Sequence, residues 1–351
     1  MLDARRVSAT ILYNKKDIST DILPFLQSVD YTDNMEGQAD DLEIKLEDRN
    51  GLWEGAWMPE KRASLLVTLI TQGWDEPGPD LKKLDLGHFE IDSISYNYAP
   101  AEMTIKGVSI PDGNKLRGVE RSRSWEKVRL SAICKDIATD ADLTLSYTAP
   151  DDPELDRAEQ SEESDLVFLW KLLKDHGLAL KIYKKKLVVF DEADYEKVPP
   201  KITLVKPGTV YVKESDMMYI TMIKSCSFST KIRDTYKACH VKYKSGEKGS
   251  VIEATYKDPS KKEGKTLQVN EQVKSVAEAE RLARRKLREK NKEETTGSFE
   301  VLGNFNLLSS LTVKVKGFGS FDGNYLITSA KHSLGSGYTT SIDIRRCLNG
   351  Y

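Results

Sequence analysis

The chain has 351 residues, with 53 Lys+Arg against 55 Asp+Glu and a formal net charge of −2. So near a balance gives no bulk pull toward nucleic acid or a membrane surface. At 39% hydrophobic and 31% charged, the composition is wetter than the usual ~45–50% apolar and ~25% charged, which favours polar interfaces over one large enzyme core.

At roughly 150 residues per domain, the length predicts two or three domains, and recurrent apolar patterning excludes a disordered chain. From the start to about residue 110 the pattern has period two. Leu42, Ile44 and Leu46 alternate with Glu43, Lys45 and Glu47, as in a strand with one wet face. Residues 63–71 form a denser apolar run and predict a more buried strand, and 73–80 read as a turn-rich loop. Phe89 and Ile91, then Ile94, Tyr96 and Tyr98, change phase midway, which predicts a bulge or bend near Asp92 and Ser93. Residues 1–110 therefore read as a small antiparallel barrel or sandwich, the first β-barrel domain of the chain.

The stretch 111–200 reads as a small α/β domain. A helix is expected over 128–143, with Val128, Ala132, Ile133, Ile137 and Ala141 along one side. A second follows a loop of acids and proline at 151–154. Ser164 suits its N-cap, Glu162 and Glu163 its positive end, and Gly177 its C′ position. Its apolar set is Leu166, Leu169, Trp170, Leu172 and Leu173. Two short strands, 178–183 and 187–190, are expected about a Lys184, Lys185, Lys186 turn. The domain ends near Pro199 and Pro200.

Residues 201–351 read as a second β-barrel domain, with Val241 and Tyr243, then Leu311, Val313 and Val315, alternating with polar neighbours. A helix interrupts it near 275–292. Val276, Ala279, Ala283 and Leu287 lie on one stripe, and Arg281, Arg284, Arg285, Lys286, Arg288, Lys290 and Lys292 crowd the rest. The polar, Gly- and Lys-rich segment 244–271 reads as a mobile loop or weak hairpin.

An internal repeat joins the two ends. Residues 87–93 (GHFEIDS) and 323–329 (GNYLITS) both read G-x-[FY]-x-I-x-S, and each follows an apolar strand. Gly87 and Gly323 are expected to take φ > 0 in equivalent turns before each strand. The fold class that follows is mainly β, with two related antiparallel β-barrels flanking an α/β insert.

Catalytic patterns are missing. There is no G-x-G-x-x-G or G-x-x-x-x-G-K-[ST] phosphate cradle, and His88, His176, His240 and His332 stand far apart. Cys239-His240, an adjacent metal-competent pair, reads as structural. His176, at a helix C-terminus that favours a cation, needs no catalytic role. No enzyme activity, cofactor or metal is expected. Cys134, Cys226, Cys239 and Cys347 form no C-x-x-C pair and suit a reducing compartment. No run of about 18 apolar residues predicts a membrane helix, and the N-terminus lacks a signal-peptide pattern, so synthesis in a cytoplasm is expected. No aromatics interleave with the basic helix, which disfavours nucleic-acid binding there. Arg281, Arg284, Arg285 and Arg288 are expected at a subunit contact or a lumen.

Residues 161–169 (SEESDLVFL) through His176-Gly177, with the short hairpin ending Leu187-Val188-Val189-Phe190-Asp191, resemble a segment of the phage late control protein D family. So do Arg121-Ser122-Arg123-Ser124-Trp125, Ala277-Glu278-Ala279, Gly323-Asn324-Tyr325, His332 and Gly337-Tyr338-Thr339-Thr340. These are baseplate hub proteins of contractile tails, similar also to the N-terminal part of the type VI secretion spike protein. The resemblance implies a homotrimeric ring whose six barrels adapt a trimeric spike to a hexameric tube. It implies assembly into the baseplate of a phage tail or phage-tail-like bacteriocin made in a bacterial cytoplasm. Implied partners are the chain itself, a spike protein, tail tube or tube-initiator proteins, baseplate wedge proteins and, further off, the tape measure protein. Because the sequence stops at Tyr351, the spike is expected on a separate chain. Two other classes remain: a tail-associated peptidoglycan hydrolase, and a free-standing β-barrel that binds carbohydrate or nucleic acid.

Overall fold

The computed structural model describes residues 5–74, 80–109, 115–183, 185–244, 249–348 and 350–351. Part of the expected 73–80 loop, Lys184 of the lysine turn and residues 245–248 lie outside the described residues.

The first β unit comprises β1 (Arg6–Tyr13), β2 (Lys16–Asp17), α1 (Ser19–Ile22), β3 (Leu26–Asn34), β4 (Asp41–Glu47), β5 (Ser64–Gln72), β6 (Leu81–Asn97) and β7 (Glu102–Val108). Its spatial order is β3-β4-β7-β6-β5-β1-β2, antiparallel throughout. The period-two pattern does what it predicts: Leu42, Ile44 and Leu46 are buried while Glu43, Lys45 and Glu47 sit half-exposed on the other face. Their core also takes in Val29, Leu65, Val67, Phe89 and Ile91. The expected bulge is present, with the β6–β7 register slipping between Ile91 and Ser93.

The insert follows: α2 (Lys115–Gly118), β8 (Glu120–Arg129), α3 (Leu130–Asp140), β9 (Thr144–Tyr147), β10 (Glu154–Ser164), α4 (Asp165–Asp175), β11 (Ala179–Tyr183), β12 (Lys186–Phe190) and α5 (Glu192–Glu196). Ser164 caps α4 by accepting from the Val167 amide at 3.4 Å, and Gly177 ends it at φ +72°. Leu166, Phe168, Leu169 and Leu173 are buried, with Trp170 and Leu172 half-buried beside them. The first helix starts later than expected. Val128 lies on β8, and the buried stripe is Leu130, Ile133, Cys134, Ile137 and Ala138, with Ala132 only half-buried. β8 and β10 form a separate ribbon, pinned to the helices where Arg121 and Arg123 both reach Asp140 (3.0 and 2.9 Å) and Arg123 reaches Asp165 (2.6 Å). Trp125 stacks on Phe168 at 5.3 Å.

The second β unit comprises β13 (Ile202–Val205), β14 (Met218–Ile220), β15 (Ile223–Thr230), then a lobe of β16 (Tyr236–Lys244), β17 (Val251–Lys257), β18 (Lys265–Val269) and α6 (Val276–Asn291). It ends with β19 (Thr295–Leu302), β20 (Thr312–Lys316), β21 (Gly323–Leu334) and β22 (Tyr338–Arg346). Of the mobile loop or weak hairpin expected at 244–271, the loop is wrong and the hairpin is nearer: the segment supplies β17, antiparallel to β16, and β18, parallel to it. Their charged residues are the wet face of a sheet whose other face packs on Ala279, Leu282, Ala283 and Leu287 of α6. Val276, placed on that stripe by spacing, is 60% exposed because it opens the first turn.

The two β units share their registers. β6 lies between β5 and β7, and β21 between β20 and β22. Gly87 faces Val67 and Phe89 faces Leu65; Gly323 faces Val315 and Tyr325 faces Val313. The β21–β22 ladder slips between Ile327 and Ser329, at the site of the Ile91/Ser93 bulge. A second pair of slips also matches: Leu26/Ser28 against β4 and Ile223/Ser225 against β19. The order β3-β4-β7-β6-β5-β1 thus parallels β15-β19-β22-β21-β20-β13. One difference breaks the match: β1 is antiparallel to β5, whereas β13 is parallel to β20. The units are not separate sheets. Residues 329–334 of β21 pair antiparallel with residues 29–34 of β3, making one 14-stranded sheet.

Candidate functional site

Three buried polar clusters hold the β units, the insert and the α6 lobe together. The first forms where β11 of the insert meets the seam between β3 and β21. Lys181 ion-pairs with Asp33 and lies 3.7 Å from Asp40, while donating to the Asn34 carbonyl (2.9 Å) and Ser309 Oγ (3.1 Å). Asp33 also accepts from the Ser309 amide at 2.8 Å, and Asp40 from Tyr31 Oη at 3.3 Å. Burial raises the Asp40 carboxyl to about 6 against the opposing pull of Lys181. One largely buried lysine therefore ties three parts of the chain together.

The second cluster lies at the end of β22. Arg345, 1% exposed, donates to Glu192 (2.6 Å) and to Glu196, both on α5. Glu196 also takes Arg288 of α6 at 2.7 Å and the Leu348 amide at 2.8 Å. Lys292 bridges Glu192 (3.1 Å) and Glu36 (3.0 Å). Burial and the hydrogen bond to Glu192 push the Glu36 carboxyl up to about 7. Burial works to raise Glu192 too, but the proton offered by Glu36 and the charges of Arg345, Lys292 and Arg288 outweigh it and hold it below the usual carboxylate range. Cations and carboxylates compensate one another here, so the cluster works as a lock.

The third cluster centres on His332, fully buried on β21. Its ring lies nearly parallel to those of Tyr31 (6.1 Å) and Tyr338 (6.0 Å). Burial lowers its pKa to about 4. The neutral ring donates Nε2–H to the Leu307 carbonyl (3.0 Å) and accepts the Tyr338 hydroxyl at Nδ1 (2.7 Å). Gly303 leaves room for Tyr338, since a Cβ there would lie 2.0 Å from the ring.

The sequence-predicted residues divide. Arg281 and Arg284 are exposed on α6. Arg285 and Arg288 are not free for a partner: Arg288 holds Glu196, and Arg285 packs on Gly177 and donates to His176 Nδ1 at 3.3 Å. His176 is accordingly no helix-end cation, because burial and then Arg285 lower its pKa. Gly87 has φ +92° but lies inside β6 beside a bulge, not in a turn; Gly323, at φ +145°, starts β21 after the 3-10 turn Gly319–Phe321. Cys239 is fully buried while His240 binds Thr255 near the surface, as alternate faces of one strand require. Among the described residues no group of three or more His, Cys, Asp or Glu could hold a metal ion. No helix among them is long and apolar enough to cross a membrane.

Sequence reasoning missed Lys181, Asp33, Glu36, Glu192, Glu196 and Arg345. Asp33 carried a signal, an acid in phase with buried Val29 and Tyr31 on β3. The others look like ordinary surface charges until the strands are placed.

A family model described as phage tail baseplate hub (GPD) matches residues 111–338. The "Probable baseplate hub protein" of Escherichia phage 186 is 31% identical over 176 residues, covering 50% of this chain and 42% of that protein. The match therefore spans less than half of the relative's own length. Among solved structures, the 43 kDa tail protein of prophage MuSo2 from Shewanella oneidensis has a TM-score of 0.72 at 14% identity, covering 97% of this chain and 99% of that one. The E. coli c3393 protein, described as a type VI secretion component structurally similar to phage T4 gp27 and gp5, has a TM-score of 0.53 at 12% identity, covering 99% and 79%. At such identities both structures speak for the fold.

Proposed function

The chain belongs to the phage tail baseplate hub (GPD) family, and on that premise we propose that it forms the homotrimeric hub ring of a contractile tail. Three copies with two matched β units each present six similar modules, so one ring offers threefold contacts to a spike and near-sixfold contacts to a tube. The observation that carries this reading is the shared register of the two β units, bulge for bulge. We assign residues 1–110 and 201–351 to the two barrel domains and 111–200 to the insert. Proposed partners are a trimeric spike protein, tail tube or tube-initiator proteins, baseplate wedge proteins and the tape measure protein, in a phage or a phage-tail-like bacteriocin. Arg281 and Arg284, exposed on α6, are the proposed contact with an acidic neighbour or the lumen, a contact that salt would weaken.

The role proposed is structural, and no observation favours the hydrolase or the free-standing binding module. Cryo-electron microscopy of the native particle tests the reading. Density for this chain in a ring between spike and tube supports it; density elsewhere in the particle, or a particle without this chain, rejects it.

A further inference from the structure

The seam between the β units is a strand pairing that the chain makes once, although it carries the parts for it twice. Within the chain, His332 stands opposite Tyr31 and Leu334 opposite Val29. The matched bulges identify what fills these positions in the other unit. β15 is the counterpart of β3, so Val29, Tyr31 and Asp33 correspond to Cys226, Phe228 and Thr230. β6 is the counterpart of β21, so Ala330, His332 and Leu334 correspond to Ile94, Tyr96 and, just past the strand, Tyr98.

Both counterpart edges are open. Among the described residues β15 pairs with β19 alone, and the β5 ladder along β6 stops at Glu90, leaving the far edge of residues 93–97 without a strand. Exposure follows the missing partner. Tyr98 is 86% exposed where Leu334 is 6%; at the end of β15 Ile232 is 92% exposed, whereas its counterpart Met35, covered by Leu326 and by Ala179 and Phe190 of the insert, is 1% exposed. Cys226 is an exposed free thiol in the place of fully buried Val29. An open edge bearing apolar side chains is a template for another chain.

We infer that β15 of one copy pairs antiparallel with β6 of the next copy, in the register that β3 and β21 use within the chain. Cys226 then faces Tyr98 of the next copy, Phe228 its Tyr96 and Thr230 its Ile94. The contact is head to tail, so it repeats until the rotation closes, and first and second β units alternate around the opening. The inference rests on the trimeric reading above and supplies the surface that reading lacks.

Opposed residues in an antiparallel pair have Cα atoms about 4.5–5.5 Å apart, within a disulfide's reach. Tyr98→Cys in the full chain, oxidised in assembled tail particles, should therefore link to Cys226 and give covalent dimers and closed trimers. Adding Cys226→Ser should abolish them. Asn97→Cys, whose side chain leaves the opposite face, should stay single-chain. Three copies by native mass with no more Tyr98→Cys linkage than this control would overturn the pairing and leave the ring reading standing; a copy number other than three would overturn both. Ile232→Glu, at an exposed site, should cut the yield of particles without moving the melting temperature of the isolated chain. Undiminished assembly of that variant would also count against the pairing.

Discussion

Arg62 and Ser310 share a positive backbone φ, at +67° and +66°. Each donates its amide to the isoleucine carbonyl of the shared heptapeptide, Arg62 to Ile91 at 3.0 Å and Ser310 to Ile327 at 2.9 Å. Neither is glycine, so each β unit stores left-handed strain at the same place. A β-branched residue tolerates that region worst. Arg62→Val and Ser310→Val should each destabilise the chain by about 1–2 kcal/mol, read as a shift in the urea midpoint. A cost at one site and none at the other would break the equivalence of the two units.

Leu173 on α4 is fully buried among Leu169, Leu180 and Leu187. Leu173→Ala should cost about 2–5 kcal/mol by leaving a cavity. Val167→Ala, at a side chain 38% exposed on the same helix, should stay within roughly 0.5 kcal/mol of wild type. Equal midpoints for the two variants would contradict the packing.

Arg345→Met should be far more damaging than its single charge suggests. It leaves Glu192 and Glu196 buried without the cation that both contact, and breaking a buried pair from one side costs about 3–5 kcal/mol. Arg281→Met, at an exposed position of α6, should be nearly silent. Thermal or urea unfolding of the two variants separates a lock from a decoration.

Glu36 gives the lock a pH signature. Its folded-state pKa is raised from 4.5 to about 7 by burial and by Glu192, so the native chain holds a proton that the unfolded chain releases. Its contribution is complete below pH 4.5 and is lost as pH rises through about 7. Glu36→Gln keeps the hydrogen-bond donor and removes the titration. Between pH 5 and 8 its stability should fall less steeply than wild type; parallel curves would remove Glu36 from the account.

Local chemistry was legible in the sequence and long-range pairing was not. The Asp92 bulge, the Ser164 cap and the Gly177 terminus follow from neighbours a few residues apart, whose spacing encodes them. The β3–β21 seam joins segments from opposite ends of the chain, and no local period reports such a pairing. β17 reads as no more than a loop or weak hairpin because Glu253 and Lys257 lie on its wet face and look like loop composition. The clusters around Lys181 and Arg345 were hidden for the opposite reason. Their charges are buried only because three parts of the chain converge on them, so apart from Asp33, in phase with Val29 and Tyr31, spacing within any one part carries no trace. On α6, periodicity found the apolar stripe but could not tell Arg288, turned inward to Glu196, from exposed Arg284.

The central claim is a ring in which three chains present six β units. Native mass spectrometry of the hub–spike complex released from particles tests it most directly, because each copy adds 39.6 kDa. Three copies of this chain per spike trimer are predicted. Two, four or six copies would contradict the account, since no such number turns paired β units into a three-to-six adaptor.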